Sequence, residues 1–316
     1  MPAEATIPEL DAQYRAIREE TALLDRSERG KLTAGGPEAI DYLQGQLTND
    51  LEPLAPGEGC YAALLDRKAH VLADARVLIR PDRSVWLDTE AGALERLRKH
   101  LETYKVGREV EVTDLTGEQA ILSLLGPGAA ETAGIGPPGP EHAHRAVELG
   151  GVECLAVSTA GGIDLICEAS AAERVSSHLL DSGAVPVTEP AAEIARVEAG
   201  IPRYGHEITE GTMPAEAGIV ERAVDFEKGC YIGQEPVARL HYRGKPNRRL
   251  CSLRLSAPAE EGASLRLGER EVGTIATAAI SPRVGPIALA IVRREAEPGA
   301  TVTVGETGVT AEIAEP

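Results

Sequence analysis

The sequence predicts an α+β protein whose C-terminal part is a separate all-β unit. Helical and strand patterns alternate over residues 1–245, a Gly- and Pro-rich segment interrupts them at 126–140, and short β-like runs at close spacing follow Pro246. The length of 316 residues is more than one minimal domain needs. We therefore expect a body formed by residues 1–245, with a surface loop near 126–140, and a small antiparallel barrel formed by residues 246–316.

Two helices and a hairpin are expected at the start of the body. Apolar residues on one helical face indicate the first helix: Leu10, Tyr14, Ile17 and Leu24. The second helix follows Pro37, should end near residues 48–50, and carries the apolar residues Ile40, Leu43 and Leu47. From Cys60 the period changes to two, so residues 60–66 and 70–80 are predicted to form a hairpin with its turn at 67–68. Asp74 and Arg76 then share one face of the second strand.

The rest of the body continues the alternation of strands and helices. Strands at 84–88 and 109–113 are expected to flank a helix that carries Leu94, Leu97, Leu101 and Tyr104. After the 126–140 loop, the pattern predicts strands at 152–158 and 163–167 and helices at 171–180 and 191–199. Gly200 and Pro202 close the last of these helices.

Charge and cysteine usage exclude several classes of protein. The formal net charge is -18, from 50 acidic and 32 basic side chains, so the surface repels phosphate backbones and anionic membranes. The N-terminus is acidic where a signal peptide is basic, and apolar runs such as 287–292 are too short to span a membrane. Five cysteines without a CxxC pair indicate reduced thiols. We expect a cytoplasmic, monomeric protein without a metal site.

One basic segment stands out against this acidic background. Residues 227–249 carry a net charge of +4, which leaves -22 for the rest of the chain. Aromatic residues are only 3% of the sequence, yet four of the nine lie within 39 consecutive residues, Tyr204, Phe226, Tyr231 and Tyr242. Rings to stack on and cations to pair with suggest a flat conjugated ligand with an anionic tail. The alternative is a charged hairpin with a few structural tyrosines.

Several motifs in this region resemble a known family. KGCYIGQE at 228–235 is preceded by RVEAGIPRYGHEIT at 196–209 and MPAEAG at 213–218 and followed by RLHYRG at 239–244. Together with residues 42–78, they closely resemble the YgfZ family of folate-binding proteins, relatives of the glycine-cleavage T-protein (aminomethyltransferase). The resemblance extends over nearly the whole chain. It implies two interleaved α/β lobes and a C-terminal β-barrel, three lobes in all, around a central channel that binds tetrahydrofolate or a one-carbon derivative of it.

The resemblance also implies functional residues. Asp74 matches the acidic residue that lies beside the folate nitrogens in the T-protein, although a strand Asp beside Arg76 could equally be half of an ion pair. Arg196 matches an arginine whose planar fork suits a carboxylate or a pterin edge, or it could be an ordinary helix-surface arginine. Further expected contacts to folate come from the matching stretches: Tyr204, Tyr231, Gln234, Glu235 and Arg239.

Lys228 and Cys230 match the lysine and cysteine of the KGCYIGQE motif. Cations favour the thiolate form of a neighbouring cysteine, which is the form that attacks electrophiles or binds metal. Gly229 and Gly233 on either side allow the backbone to approach a ligand. We therefore expect Asp74, Lys228 and Cys230 to be the catalytic residues if the protein is an enzyme. A buried structural cysteine is the alternative for Cys230.

One departure from the T-protein bears on the reaction. Where that enzyme has a YTGEDGFE-like segment whose glutamate holds the pterin ring, this chain has STAGGIDLIC at 158–167, without the acidic pair. We therefore expect no carboxylate for the pterin edge from this segment. This argues against simple aminomethyltransferase activity but leaves folate binding through other contacts open.

Three functions remain open from the sequence. The first is a tetrahydrofolate-binding accessory protein for iron-sulfur cluster assembly or repair, with iron-sulfur client or assembly proteins as partners and an indirect effect on tRNA modification. The second is a folate-dependent aminomethyltransferase or methyltransferase of the T-protein superfamily. The third, direct tRNA binding through residues 239–249, is disfavoured by the acidic remainder of the chain.

Overall fold

The computed structural model of this chain describes residues 9–136 and 139–316. Helices and strands alternate up to the predicted loop. The elements of this part are α1 (Leu10–Glu19), β1 (Ala22–Asp25), β2 (Gly30–Gly35), α2 (Ala39–Gln44), β3 (Gly59–Leu65), β4 (Val71–Ile79), β5 (Val85–Thr89), α3 (Ala91–Tyr104), β6 (Glu111–Asp114), β7 (Gln119–Leu125) and α4 (Ala129–Thr132).

The alternation continues beyond the loop until six strands close the chain. The elements after the loop are β8 (His144–Leu149), β9 (Val152–Thr159), β10 (Gly162–Glu168), α5 (Ala172–Asp181), β11 (Val185–Pro186), α6 (Glu189–Glu198), α7 (Val220–Ala223), α8 (Gln234–Arg243), β12 (Arg248–Leu255), β13 (Ser264–Leu267), β14 (Arg270–Ser281), β15 (Gly285–Arg293), β16 (Thr301–Val304) and β17 (Val309–Ala314).

The first lobe is a five-stranded antiparallel sheet with the order β3-β4-β5-β2-β6. The predicted hairpin is confirmed as β3 and β4, which pair from Gly59 and Leu78 to Leu65 and Val71. Helices α2 and α3 supply Leu43 and Leu97 to the core on one face of this sheet. The other face carries Asp74 and Arg76.

The second lobe is a six-stranded sheet with the order β11-β1-β7-β10-β9-β8. Strand β1 comes from the N-terminal part of the chain, yet it pairs with β7 and β11 rather than with the first sheet. The two lobes are therefore interleaved along the sequence, as predicted. Apolar side chains from both sheets, including Leu78, Trp86 and Ile121, form a shared core between them.

The C-terminal unit is a closed antiparallel barrel in the order β12-β15-β14-β13-β16-β17. Alternate residues of these strands, such as Leu253, Leu265 and Ile313, fill its interior. The predicted small β-barrel is confirmed. Helix α6 lies against its β14 and β15 strands, which connects the body to the barrel.

Several local predictions differ from the structure. Helix α2 ends at Gln44, and Leu47 instead forms a bridge to Leu64. The 126–140 segment contains the short helix α4, and residues 137–138 lie outside the described part of the chain. Helix α1 ends at Glu19, so Leu24 lies on β1, which is one of the strands that were not predicted, together with β2, β7, β8 and β11. Residues 234–243 form helix α8 rather than a strand of a charged hairpin, because Pro236 suits a first helical turn and VARLHYR continues a helical pattern.

Among the helices of residues 9–136 and 139–316, none has the length and apolar character needed to cross a lipid bilayer.

Candidate functional site

Asp74 lies on β4 at the junction of the lobes and accepts a hydrogen bond from a neighbouring tyrosine. The Tyr61 hydroxyl donates to Asp74 Oδ2 over 2.6 Å. Only 8% of Asp74 is exposed, and this burial raises the pKa of its carboxyl, although the bond from Tyr61 and the charge of Arg29 act in the opposite direction. The Thr89 hydroxyl donates to the main-chain oxygen of Asp74 over 2.5 Å, which ties β4 to β5. Asp74 is thus a buried carboxyl that holds its proton more tightly than usual.

A chain of buried ion pairs connects the Asp74 region to the second lobe. Arg76 Nε donates to Asp88 Oδ2 over 2.7 Å, and its Nη1 donates to Asp164 Oδ2 over 2.6 Å. Arg29 pairs with the other Asp88 oxygen at 3.0 Å. These neighbours lower the pKa of Asp88 despite its burial. Arg76 therefore does not pair with Asp74, which excludes the ion-pair alternative for the aspartate.

The 158–167 segment contains one carboxylate, Asp164, which is engaged within the protein, so the expectation that this segment leaves no carboxylate for a pterin edge stays a prediction. Asp164 lies on β10, is 8% exposed, and reaches across to the first sheet. Its second oxygen accepts a hydrogen bond from the Ser123 hydroxyl over 2.6 Å. The sequence alone does not reveal the role of Asp164, because that role depends on how the two sheets pack together. Both carboxylate oxygens already have partners, so this side chain stabilises the interface between the lobes.

Two polar atoms near this cluster are buried and have no hydrogen-bond partner within the described residues, Arg76 Nη2 and His142 Nδ1. His142 adopts a positive φ of 70°, an uncommon conformation for a residue with a side chain. Its burial, together with the charges of Arg76 and Arg222, lowers the pKa of its imidazole to about 4. No sequence motif marked His142. Tyr61 could have been found, because the hairpin register places it opposite Arg76 and diagonal to Asp74.

Arg196 lies where α6 meets the barrel, and its partners are all internal. Its guanidinium donates to Glu193 and, over 2.8 Å, to Glu207. It also donates to the Thr277 hydroxyl on β14 over 3.0 Å. The two carboxylates raise the pKa of Arg196. In this arrangement, Arg196 joins the body to the barrel.

Tyr204 connects this region to strand β4. Its hydroxyl donates to the main-chain oxygen of Leu72 over 2.8 Å, two residues before Asp74. Burial raises the pKa of Tyr204. Tyr204 therefore contacts the strand that carries Asp74.

Five of the predicted residues line one groove: Cys230, Tyr231, Gln234, Glu235 and Arg239. The groove has a volume of about 650 Å³ and is also lined by Leu65, Leu72 and Tyr104. Cys230 is exposed there, whereas Tyr231 is buried and its hydroxyl has no partner among the described residues. Asp74 does not line this groove. The structure therefore separates these five residues from Asp74.

Lys228 lies beneath the groove and is used internally. Its Nζ donates to the main-chain oxygens of Gln44, Leu47 and Asn49 over 2.7, 2.6 and 2.8 Å. Burial lowers the pKa of Lys228 to about 8. An ammonium group has three protons to donate, and all three are occupied. Lys228 thus holds the 228–235 loop against the end of α2.

The arrangement suits proton transfer at Asp74 and nucleophilic chemistry or partner contact at Cys230. Within the part of the chain that the structure describes, no group of three or more His, Cys, Asp or Glu side chains could hold a metal ion. The unpartnered Arg76 Nη2 and His142 Nδ1 are polar atoms of the kind that an organic ligand with donors and acceptors could engage.

Comparison with known proteins identifies two domains of one family. Residues 3–228 match the family described as the GCVT N-terminal domain, and residues 248–316 match the glycine cleavage T-protein C-terminal barrel domain. An aminomethyltransferase from Symbiobacterium thermophilum is 30% identical, over 89% of this chain and 80% of that protein. An aminomethyltransferase from Rubrobacter xylanophilus is 28% identical, over 96% of this chain and 84% of that protein. A putative chloroplast transferase from Arabidopsis thaliana is 27% identical, over 96% and 73%.

The fold agrees with these matches. The crystal structure of the glycine cleavage system aminomethyltransferase T from Bartonella henselae superposes with a TM-score of 0.86 and 23% identity, covering 97% of this chain and 88% of that one. That likeness establishes the arrangement of lobes and barrel. Because the matched domains together span almost the whole sequence, the chain belongs to the glycine cleavage T-protein family.

Proposed function

We propose that this protein binds a reduced folate, tetrahydrofolate or a one-carbon derivative, beside Asp74 and transfers an aminomethyl or methyl group in the cytoplasm. Residues 1–245 would form the folate-binding body, and the barrel of residues 246–316 would close the central channel. The relatives named aminomethyltransferase support this function over the iron-sulfur role that the KGCYIGQE motif suggests.

The hydrogen bond between Tyr61 and Asp74 is the observation that carries this proposal. Transfer of a one-carbon unit breaks its bond to the donor and forms a bond to a folate nitrogen, and the proton that leaves that nitrogen replaces the one-carbon unit on the donor. A buried carboxyl whose pKa is raised is a better proton acceptor when ionised than an exposed aspartate, which suits it to exchange that proton. The Tyr61 hydroxyl fixes the orientation of the carboxyl at 2.6 Å. In this role, Asp74 is the catalytic residue and Tyr61 a positioning residue.

Calorimetry with tetrahydrofolate tests the binding step. We expect heat of binding with the wild-type protein and at least about a tenfold weaker affinity with Asp74→Ala, because one charge-assisted contact is lost. The matched control is Asp11→Ala, which removes an exposed aspartate from α1. No heat with any reduced folate, or equal affinities in both variants, would contradict the proposal.

Turnover tests the transfer step. We expect folate-dependent release of a one-carbon unit from at least one of three donors: the aminomethyl-loaded glycine-cleavage carrier, sarcosine or dimethylglycine. Tyr61→Phe should shift the pH dependence of the rate to higher pH, because the phenol no longer lowers the Asp74 pKa. Folate binding without turnover of any of these donors would leave the accessory function as the better explanation.

The accessory function has one observation in its favour. Cys230 is exposed in a groove that Asp74 does not line, so a second chemistry could take place there. In this second candidate function, the protein would bind tetrahydrofolate and assist in assembling or repairing iron-sulfur clusters, as members of the YgfZ family do. A deletion strain tests it: iron-sulfur enzyme activities should fall, and Cys230→Ala should fail to restore them while Cys60→Ala succeeds. Full restoration by Cys230→Ala would contradict this function.

A further inference from the structure

We propose that the exposed face of α8 is a docking surface for a partner protein that presents an acidic patch. We define the α8 face as the side chains of Arg239, Tyr242, Arg243 and Lys245, with Phe226 and His241 at its edge. This inference is separate from folate binding at Asp74, because none of these side chains forms a hydrogen bond with Asp74 or with the Tyr61 hydroxyl.

Helix α8 contributes little to the core of the protein. Val237 is its one buried side chain, whereas Arg239, Tyr242 and Arg243 are exposed. The helix is anchored at its start, where Gly233 packs against the main chain of Asp66. Most of its surface is therefore available for contacts outside the chain.

The charges on the α8 face oppose those of the rest of the molecule. Arg239 and Arg243 are four residues apart and share one side of the helix, and Lys245 follows directly after its end. Arg239 pairs with Glu235, but both side chains are largely exposed, so that pair is weak. Within the described residues, neither Arg243 nor Lys245 has a carboxylate partner. The charges of Arg243 and Lys245 are thus unneutralised on the surface of a chain whose formal net charge is -18.

A cluster of aromatic rings accompanies these cations. Phe226 stacks on His241 with 3.9 Å between ring centroids, and Tyr242 meets His241 edge-on at 4.8 Å. Tyr242 is 68% exposed, which is unusual in a chain with so few aromatic residues. Tyr and Arg are the residue types that most often dominate the energy of protein–protein interfaces. This surface therefore combines apolar anchors with charges that an acidic partner would complement.

A protein partner fits this surface better than a nucleic acid. Binding of single strands relies on successive rings that each stack on a base, but Phe226, His241 and Tyr242 already pack against one another. A polyanion that extends beyond the face would also meet the strongly acidic body. An acidic patch of limited size matches the local positive field, because charges separated by more than about 8 Å are screened at physiological salt.

Arg239 connects the docking surface to the groove of Cys230. Arg239 also lines the groove that exposes Cys230. A partner bound to the α8 face would therefore lie beside this thiol.

Site-specific photo-crosslinking tests the proposal. The full chain, carrying p-benzoylphenylalanine in place of Tyr242, is expressed and irradiated in cells of the source organism, and crosslinked species are identified by mass spectrometry. We expect a protein crosslinked through a segment rich in Asp and Glu. The double variant Arg243→Glu/Lys245→Glu should reduce that crosslink about tenfold or more, because it opposes like charges. The control Arg254→Glu/Arg266→Glu reverses two exposed arginines of the barrel and should leave it unchanged.

A second arm uses the partner found in the first. Reversing the crosslinked acidic residues to Arg should restore binding to the Arg243→Glu/Lys245→Glu variant. Thermal unfolding of each variant verifies that the fold is retained. Crosslinks to RNA, to a second copy of the chain, or to proteins without an acidic segment would overturn the proposal, as would the absence of any crosslink or equal crosslinking in both double variants.

Discussion

The Nζ of Lys228 lies 2.6 Å from the main-chain oxygen of Leu47, and this contact joins the KGCYIGQE loop to the first lobe. The same ammonium group also donates to the main-chain oxygens of Gln44 and Asn49, at the end of α2. A helix leaves its last carbonyl groups without partners, and a buried cation can satisfy them. The lysine of the motif thus holds the loop in place, and the thiol of Cys230, two residues further along, is exposed.

We expect Lys228→Ala to lower the free energy of unfolding by about 2–3 kcal/mol, because it leaves buried carbonyl oxygens without donors. Urea unfolding measures the change. The control is Lys245→Ala, which removes an exposed lysine and should change stability by less than about 0.5 kcal/mol. Equal effects of the two substitutions would show that the contacts of Lys228 with α2 do not stabilise the fold.

Gly233, at the start of α8, is expected to tolerate no side chain. Its φ is +85°, and an added Cβ would lie 2.5 Å from the main-chain oxygen of Asp66. Gly233→Ala should therefore cost about 1–3 kcal/mol and loosen the Cys230 groove. Gly229 lies in the same loop with open space around it, so Gly229→Ala is the matched control. Thermal unfolding should separate the two variants clearly, and coincident curves would contradict the argument.

Local patterns accounted for much of the fold. The β3–β4 hairpin was predictable because alternation over residues 60–79 is a property of the chain itself. Strand β1 was not predictable, because a strand of four residues shows little periodicity and its partners β7 and β11 lie far along the sequence. Helix α8 was missed because most of its side chains are charged or exposed and its apolar face is narrow, with only Val237 buried.

The site was predictable only in part, because it too depends on contacts between distant parts of the chain. The family resemblance located Asp74 and Cys230, but not their separation into two places. Asp164 and Arg76 meet because two sheets pack face to face, which no local pattern encodes. The burial of Lys228 likewise depends on α2, some 180 residues away in the chain.

Asp74 should make stability depend on pH in a specific direction. Burial raises its pKa above the usual value of about 4, so the folded protein binds this proton more tightly than the unfolded chain. The protonated carboxyl therefore contributes fully to the free energy of unfolding below about pH 4. This contribution is lost as the pH rises through the raised pKa of the folded state. We expect Asp74→Asn to be more stable than the wild type at pH 7, with a difference that shrinks as the pH falls towards 4. Urea unfolding at several pH values measures this.

The control for that experiment is Asp11→Asn, whose stability difference from the wild type should not vary with pH, because Asp11 is exposed. A wild-type protein that is more stable than Asp74→Asn at pH 7 would show that the ionised carboxylate is favourable in the fold.

Cys230 should be the most reactive of the five thiols. It is exposed, whereas Cys154, Cys167 and Cys251 are buried, and burial raises the pKa of the half-buried Cys60 to about 12. Under native conditions, iodoacetamide should modify Cys230 at least about tenfold faster than any other cysteine, because the thiolate is the reacting form and access is needed. Peptide mass spectrometry over time reads out each site. Uniform labelling of all five would contradict the exposure of the groove.

Glu207 is expected to be the main link between the body and the barrel. It is 1% exposed, accepts from Arg196 over 2.8 Å and from the Thr277 hydroxyl over 2.5 Å. Glu207→Gln removes one charge of a buried pair, so we expect a loss of about 3 kcal/mol in urea unfolding. Glu210→Gln changes a nearby carboxylate whose side chain is 74% exposed and should cost less than about 0.5 kcal/mol. Similar losses in both variants would mean that apolar packing, rather than this ion pair, holds the barrel to α6.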